Sequence, residues 1–217
     1  MRVHARAMDV AEPWYLSGGI SAANCVAAYA AKGAASLAAS YSNLNNPGTN
    51  DLTVGVAPTW DATNGLKFNG ANQYLIAPTQ TTSDWSMLMR FSNKTRTSTE
   101  LLCGAISGGN RGMEIGFDVV TGDTAFYGNG GSPYMEVSPR ITNGVIGISN
   151  KTVYRNGSAE GTLGAGAGVP GIPIYLGAVN ASGAVLHGLF YCQYYVLYNT
   201  EISAAQVLAV TNAMNAL

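Results

Sequence analysis

The chain has 217 residues, 47% of them hydrophobic, which suits one all-β domain with a full core and excludes a disordered chain. Only 11% are charged, against about 25% in ordinary globular proteins, and 27 are glycine. Eleven basic and twelve acidic residues are scattered singly, for a net charge of −1. That leaves no basic patch for nucleic acid, and no apolar run approaches the 18 or so residues of a membrane-spanning helix.

A surface this poor in charge is unusual for a free monomer and predicts burial in an assembly, most simply a homo-oligomer. Cys25, Cys103 and Cys192 are odd in number and widely spaced. They read as small buried hydrophobes in a reducing compartment, not as a disulfide framework. The opening MRVHARAMDVAEP lacks the apolar segment of a secretory signal. Asn-x-Ser/Thr matches at Asn93, Asn150, Asn156 and Asn180 are therefore read as chance products of an Asn- and Ser-rich chain.

In chain order, residues 1–13 read as an N-terminal arm with little to dock on its own domain, and residues 14–217 as the domain. A neighbouring subunit is expected to hold the arm. Pro13 to Leu16 is an anchor, closed by Gly18-Gly19. Local propensity favours a helix from Ala22 to Lys32, with Ser21 as N-cap and Gly33 at its stop. Leu52 to Val56 is a short strand. Gly65 to Ala77, GLKFNGANQYLIA, places Asn69-Gly70 between two apolar runs, the strongest short-range signal for a hairpin. In Asp84 to Phe91, Trp85, Met87, Met89 and Phe91 alternate with smaller or polar residues, so that face points inward. Strands follow at 101–106 and 113–119, the second with Glu114, Gly116 and Asp118 on one face. Thr124 to Tyr127 precedes a Gly-rich run ending at Pro133. Strands at 145–148 and 152–155 are bounded by turns at Ser149 to Lys151 and Asn156-Gly157. Residues 161–171 read as a mobile loop, and Ile174 to Val179 as a strand. Val185 to Tyr198 is apolar on both faces, so it is a strand covered on both sides or a face that meets another subunit. Ser203 and Gln206 form a capping box for a closing helix, with Val207, Val210, Thr211 and Met214 on its packed face.

Several of these segments, in this order, resemble the laminin-G-like modules of the concanavalin A-like lectin/glucanase superfamily. They are the Gly-aliphatic-x-Phe strand with Asn-Gly and Tyr-Leu, the Tyr-Arg-Asn-Gly stretch at 154–157, the Leu-Gly at 176–177 and the ending from Tyr198 to Val207. The resemblance covers about residues 24–214. It implies a jelly-roll sandwich of two antiparallel sheets with short peripheral helices. It also replaces the helix at 22–32 with a strand at 25–30 and a short helical turn at 35–41. Trp14 to Gly19 and Lys32 to Ser36 are similar to segments of bacteriophage structural modules. That likeness implies a non-enzymatic virion surface component, such as a capsid decoration, head-fibre or tail protein, made in the host cytoplasm and docked on a capsid or tail lattice. The alternative is a carbohydrate-binding module for host-surface glycans.

Catalysis finds little support in the residues. Glucanases of this superfamily place carboxylates on one face of a strand, and the nearest stretch here is Met113 to Asp118. Glu114 and Asp118 share a face, but four residues at about 3.3 Å each separate their Cα atoms by roughly 13 Å. Paired catalytic carboxyls need about 5–9.5 Å. Both acids are therefore read as part of a solvated face. His4 lies in the arm, and His187 reads as a structural residue of the apolar strand. Asp118, Asp123 and Asn129 could approach one another but match no calcium motif, so no metal and no cofactor is expected. Sugar binding needs exposed aromatics beside polar groups, and Tyr127, Asn129 and Tyr134 are the most plausible set.

Overall fold

A computed structural model describes residues 12–94, 99–117, 123–127, 135–164 and 168–217. Single 3-10 turns at Trp14–Leu16 and Ala22–Asn24 precede β1 (Cys25–Ala30), and a third lies at Ala39–Tyr41. There follow β2 (Thr53–Val56), β3 (Thr59–Asp61), β4 (Gly65–Asn69), β5 (Tyr74–Thr79), β6 (Ser86–Ser92) and β7 (Glu100–Gly104). The middle of the chain holds β8 (Ile106–Ser107), β9 (Asn110–Arg111), β10 (Glu114–Phe117), β11 (Thr124–Tyr127), β12 (Met135–Val137), β13 (Gly144–Ser149), β14 (Thr152–Arg155) and β15 (Ser158–Thr162). The last strands are β16 (Pro173–Leu176), β17 (Val179–Asn180), β18 (Ala184–Val185) and β19 (Leu189–Tyr198), and α1 (Ala204–Ala216) closes the chain.

Two antiparallel sheets form a sandwich. Sheet one runs β15-β14-β13-β6-β19-β4-β3, and sheet two runs β12-β11-β10-β7-β16-β5-β2. β19 is long enough to take two partners end to end on one flank. Its first residues pair with β4, and Tyr194 to Tyr198 pair with β1. The expected strand at 25–30 is therefore present in place of a helix. Aliphatic and aromatic side chains that alternate along each strand meet between the sheets. They include Tyr29, Phe68, Met87, Met89, Phe91 and Tyr195 from sheet one, and Leu75, Leu102, Ile115, Phe126 and Ile174 from sheet two. Each large apolar side chain fully buried here contributes about 1.5–3 kcal/mol. Phe68 stacks on Phe190 at 5.1 Å and Tyr29 on Tyr195 at 6.0 Å.

The reading of residues 65–77 as a hairpin is corrected. β4 pairs with β3 and β19, whereas β5 pairs with β2 and β16, so the turn carries the chain from one sheet to the other. The turn is as tight as the Asn-Gly signal implies. Asn69 Oδ1 accepts from the backbone N–H of Ala71 and of Asn72, and Gly70 adopts φ +67°. A remote contact ties it down as well, from Gly70 N–H to the Gly188 carbonyl at 3.1 Å. The strands splay apart because Leu66 and Phe68 enter the core from one sheet and Leu75 and Ala77 from the other. Asn156-Gly157, by contrast, closes a true two-residue hairpin between β14 and β15, with both residues at positive φ.

Sheet one is covered on its outer face as well. α1, capped by the reciprocal Ser203–Gln206 box, packs Val207, Val210 and Met214 onto Leu88, Val145, Tyr154, Tyr194, Val196 and Tyr198. Tyr15 joins this second core, and the Tyr198 hydroxyl donates to the Tyr15 carbonyl at 2.8 Å. A covered central strand, not a subunit contact, thus accounts for the two apolar faces of β19. The approach to α1 is fixed by a buried polar seam in which the Ser86 and Ser149 hydroxyls lie 2.9 Å apart. Ser149 Oγ also accepts from Ile202 N–H at 3.0 Å. The three cysteines are buried and unpaired, as expected, and burial pushes the Cys25 thiol up to about 12. Among the described residues no helix is long and apolar enough to cross a membrane.

Candidate ligand-binding face

The outer face of sheet two carries no helix among the described residues. Because Leu75, Cys103, Ile115, Phe126 and Leu176 point into the sandwich, their neighbours along each strand face outward. Strand register then lines up an outward row in which Tyr175 of β16 lies opposite Gly104 of β7, and Glu114 of β10 opposite Tyr127 of β11. Tyr175 pairs with Ile76 of β5, so Tyr74, opposite Val56 of β2, joins the row from one diagonal step away. The Tyr74 and Tyr175 rings stack at 4.6 Å with a 27° tilt, and both side chains are only half-buried. His187 lies 6.4 Å from the Tyr74 ring, its Nδ1 3.4 Å from the Gln73 carbonyl.

Two glycines make the row possible. A Cβ on Gly55 would stand 2.1 Å from the Tyr74 ring, so that ring lies directly on bare backbone. A Cβ on Gly104 would stand 2.3 Å from Glu114 Cγ, so the glutamate lies across β7 in the same manner.

Glu114 is the chemically distinctive member. The reading of this acid as part of a solvated face is corrected: it is 0% exposed. Its Oε2 accepts from Arg111 Nη1 at 2.7 Å, while its Oε1 is buried with no hydrogen-bond partner. Burial raises its pKa to about 7, with Arg111 acting in the opposite sense. A buried carboxylate is tolerated where it is paired, and here half of it is. Alternation correctly assigned Glu114 to the outward face of its strand. It could not show that neighbouring groups would close over that face.

Of the three residues expected to bind sugar, Tyr127 falls in this row by its backbone position, and Asn129 and Tyr134 lie outside the described residues. Asp118 also lies outside them, so the Glu114–Asp118 pair is not assembled among the described residues. The same holds for the calcium set, of which only Asp123 is described. Among the described residues no three His, Cys, Asp or Glu side chains converge as metal ligands. His187 precedes β19 instead of lying within it, and is half-exposed beside Tyr74. Tyr74, Tyr175, Arg111 and His187 were missed as a group. Each was visible in its strand or turn, but their meeting depends on the sheet-two strand order.

Neither a family model nor a curated protein sequence matches the chain. Solved structures do. Trypanosoma rangeli sialidase in complex with sialic acid superposes with a TM-score of 0.67 at 17% identity, over 89% of this chain and 33% of that one. The botulinum neurotoxin serotype D binding domain superposes with a TM-score of 0.60 at 11% identity, over 88% of this chain and 52% of that one. The chain therefore spans about a third of the sialidase and about half of the toxin chain. At such identities the likeness is one of fold, the lectin-like β-sandwich.

Proposed function

We propose that the chain is a non-catalytic glycan-binding sandwich whose ligand lies on the outer face of sheet two. The observation that carries this reading is the half-exposed Tyr74–Tyr175 stack beside the Arg111–Glu114 pair. A sugar ring offers an apolar C–H face and a rim of hydroxyls. Aromatic rings supply a flat partner for the first, and a few fixed polar groups bond the second. Val56, 39% exposed opposite Tyr74, extends the apolar floor toward the sheet edge. The fold also recurs in about a third of a sialidase chain, a protein solved in complex with sialic acid. The reading is non-catalytic because Glu114 is held by a guanidinium and has no second described acid placed as its working partner.

A glycan array probed with the full chain and with Tyr175→Ala tests this. The expected result is a defined set of retained glycans, bound at least tenfold more weakly by the variant, with unchanged far-UV dichroism. No retained glycan would refute binding, and release of shortened sugars would refute the non-catalytic part.

Display on a virion is a separate proposal, supported by the low charge and the sequence resemblance, and it is compatible with glycan binding. It predicts a defined oligomer by light scattering that dissociates when residues 1–13 are removed. A monomer in both forms would count against it.

A further inference from the structure

Sheet one ends in β3 and β15, and sheet two in β2 and β12. An edge strand carries a row of unpaired N–H and C=O groups, which proteins guard with charge or cover. Three of these edges carry charge. β3 ends at Asp61, β12 holds Glu136, and β15 holds Glu160 in an ion pair with Arg155. The flank of β1 away from β19 is covered instead. There Asn43 Oδ1 accepts from Ala28 N–H at 3.0 Å, and Leu44 N–H donates to the Ala28 carbonyl at 2.8 Å.

β2 is guarded in neither way. No charged residue stands between Asp51 and Asp61. Thr53 to Val56 pair with β5, and among the described residues nothing else hydrogen-bonds them. Val54 and Val56 are 45% and 39% exposed, and Thr53 is exposed as well.

Register makes this edge complementary to itself. Thr53 lies opposite Ile76 and Val56 opposite Tyr74, with Gly55 as the extra residue of a bulge. Leu75 enters the core, so Ile76 and Tyr74 face outward, and Thr53 and Val56 face outward with them. Val54, opposite Leu75, turns to the inner side, where the open edge leaves it uncovered. Two β2 strands laid antiparallel across a two-fold axis bring Thr53 of each opposite Val56 of the other, both side chains on one face. The axis falls between Val54 and Gly55, so the Val54 side chains of the two copies meet over the open edge. A cleft of about 400 Å³, lined by Gly48, Asn50, Asp51, Thr53 and Ile76, opens at the Thr53 end. The exposed Ala57 of the other copy arrives there. With no charge on the strand, no like charges oppose across the axis.

We propose that β2 is the interface of a homodimer in which a second copy of this chain joins edge to edge. The two seven-stranded sheets then form one continuous sheet. A four-residue edge buries little area, so the dimer is weak and reversible. Its consequence rests on the sheet-two reading of glycan binding. The two Tyr74–Tyr175 stacks share one face, their β5 strands three spacings, about 14 Å, apart across the sheet. A repeating glycan that engages both gains through effective concentration.

Light scattering over a range of concentrations tests the dimer. The expected result for the full chain is a mass rising from 22.5 kDa toward twice that value. Val54→Lys should weaken association at least tenfold with unchanged far-UV dichroism, because the side chain it alters is exposed. The dimer should survive Tyr175→Ala and the removal of residues 1–13. Amide hydrogen exchange at residues 53–56 should slow as the dimer forms. A monomer at every concentration, association as strong in Val54→Lys as in the parent chain, or exchange at residues 53–56 unchanged on association would overturn the proposal. Loss of association on removing residues 1–13 would overturn it too. Mass and exchange are read without saccharide, so the dimer fails separately from the sheet-two reading, which the array with Tyr175→Ala decides.

Discussion

Glu114 sets a sign for the pH dependence of stability. Its pKa rises from an ordinary 4.5 to about 7 in the folded chain, so between those values the folded state holds a proton that the unfolded state has released. Stability from this group is full below about pH 4.5, falls as pH rises to about 7, and is level above that. The span corresponds to at most about 3 kcal/mol. Glu114→Gln removes the titration, so denaturant melts should show the variant gaining on the parent chain as pH rises from 4.5 to 7. A constant difference across that range would contradict the assignment. A second residue-scale prediction concerns Gly177. It adopts φ +91°, and a Cβ there would lie 2.2 Å from the Phe68 ring. Gly177→Ala combines overpacking with backbone strain and should cost about 3 kcal/mol by denaturant unfolding. Such residues are only partly legible in a sequence. The Leu-Gly at 176–177 was noticed for its resemblance, but the aromatic that excludes a side chain there lies more than a hundred positions away.

At the scale of elements, alternation read the strands well and read their pairing less well. The Trp85 to Phe91 face is buried, and the helix, its cap and its packed residues lie where the capping box and helical spacing placed them. Those signals are local, and the cap bond spans three residues. The turn at Asn69-Gly70 was misread because an Asx-stabilised turn has the same sequence whether its strands pair or part. What decides is the sheet into which each strand delivers its apolar side chains. Ser203→Ala should cost about 1 kcal/mol through loss of the cap. Deleting residues 203–217 should do far more. It uncovers Leu88, Val145, Tyr194 and Val196 together, and the expected outcome is aggregation with binding of a hydrophobic dye. A soluble, dye-negative truncation would show that α1 is not the cover of sheet one.

At the scale of the molecule, the three layers divide the work. The helix and the Trp14–Leu16 segment pack on the outer face of sheet one, the middle layer is apolar on both sides, and among the described residues no helix covers the outer face of sheet two. That asymmetry underlies the central proposal, in which a glycan binds the outer face of sheet two, where the Tyr74–Tyr175 stack lies. The sequence pointed to a lectin-like sandwich and to sugar as one ligand class, because strand periodicity and motif order survive in one dimension. It pointed to only one position of the row, because Tyr74, Tyr175 and Glu114 meet only once strands 40 to 100 residues apart are placed side by side. Amide chemical-shift mapping of a saccharide retained on the array tests the claim most directly. The account predicts that the largest shifts fall on β5, β16 and β10, around Tyr74, Tyr175 and Glu114, and vanish in Tyr175→Ala. Shifts confined to the loops at the sandwich ends, or persisting unchanged in that variant, would contradict it.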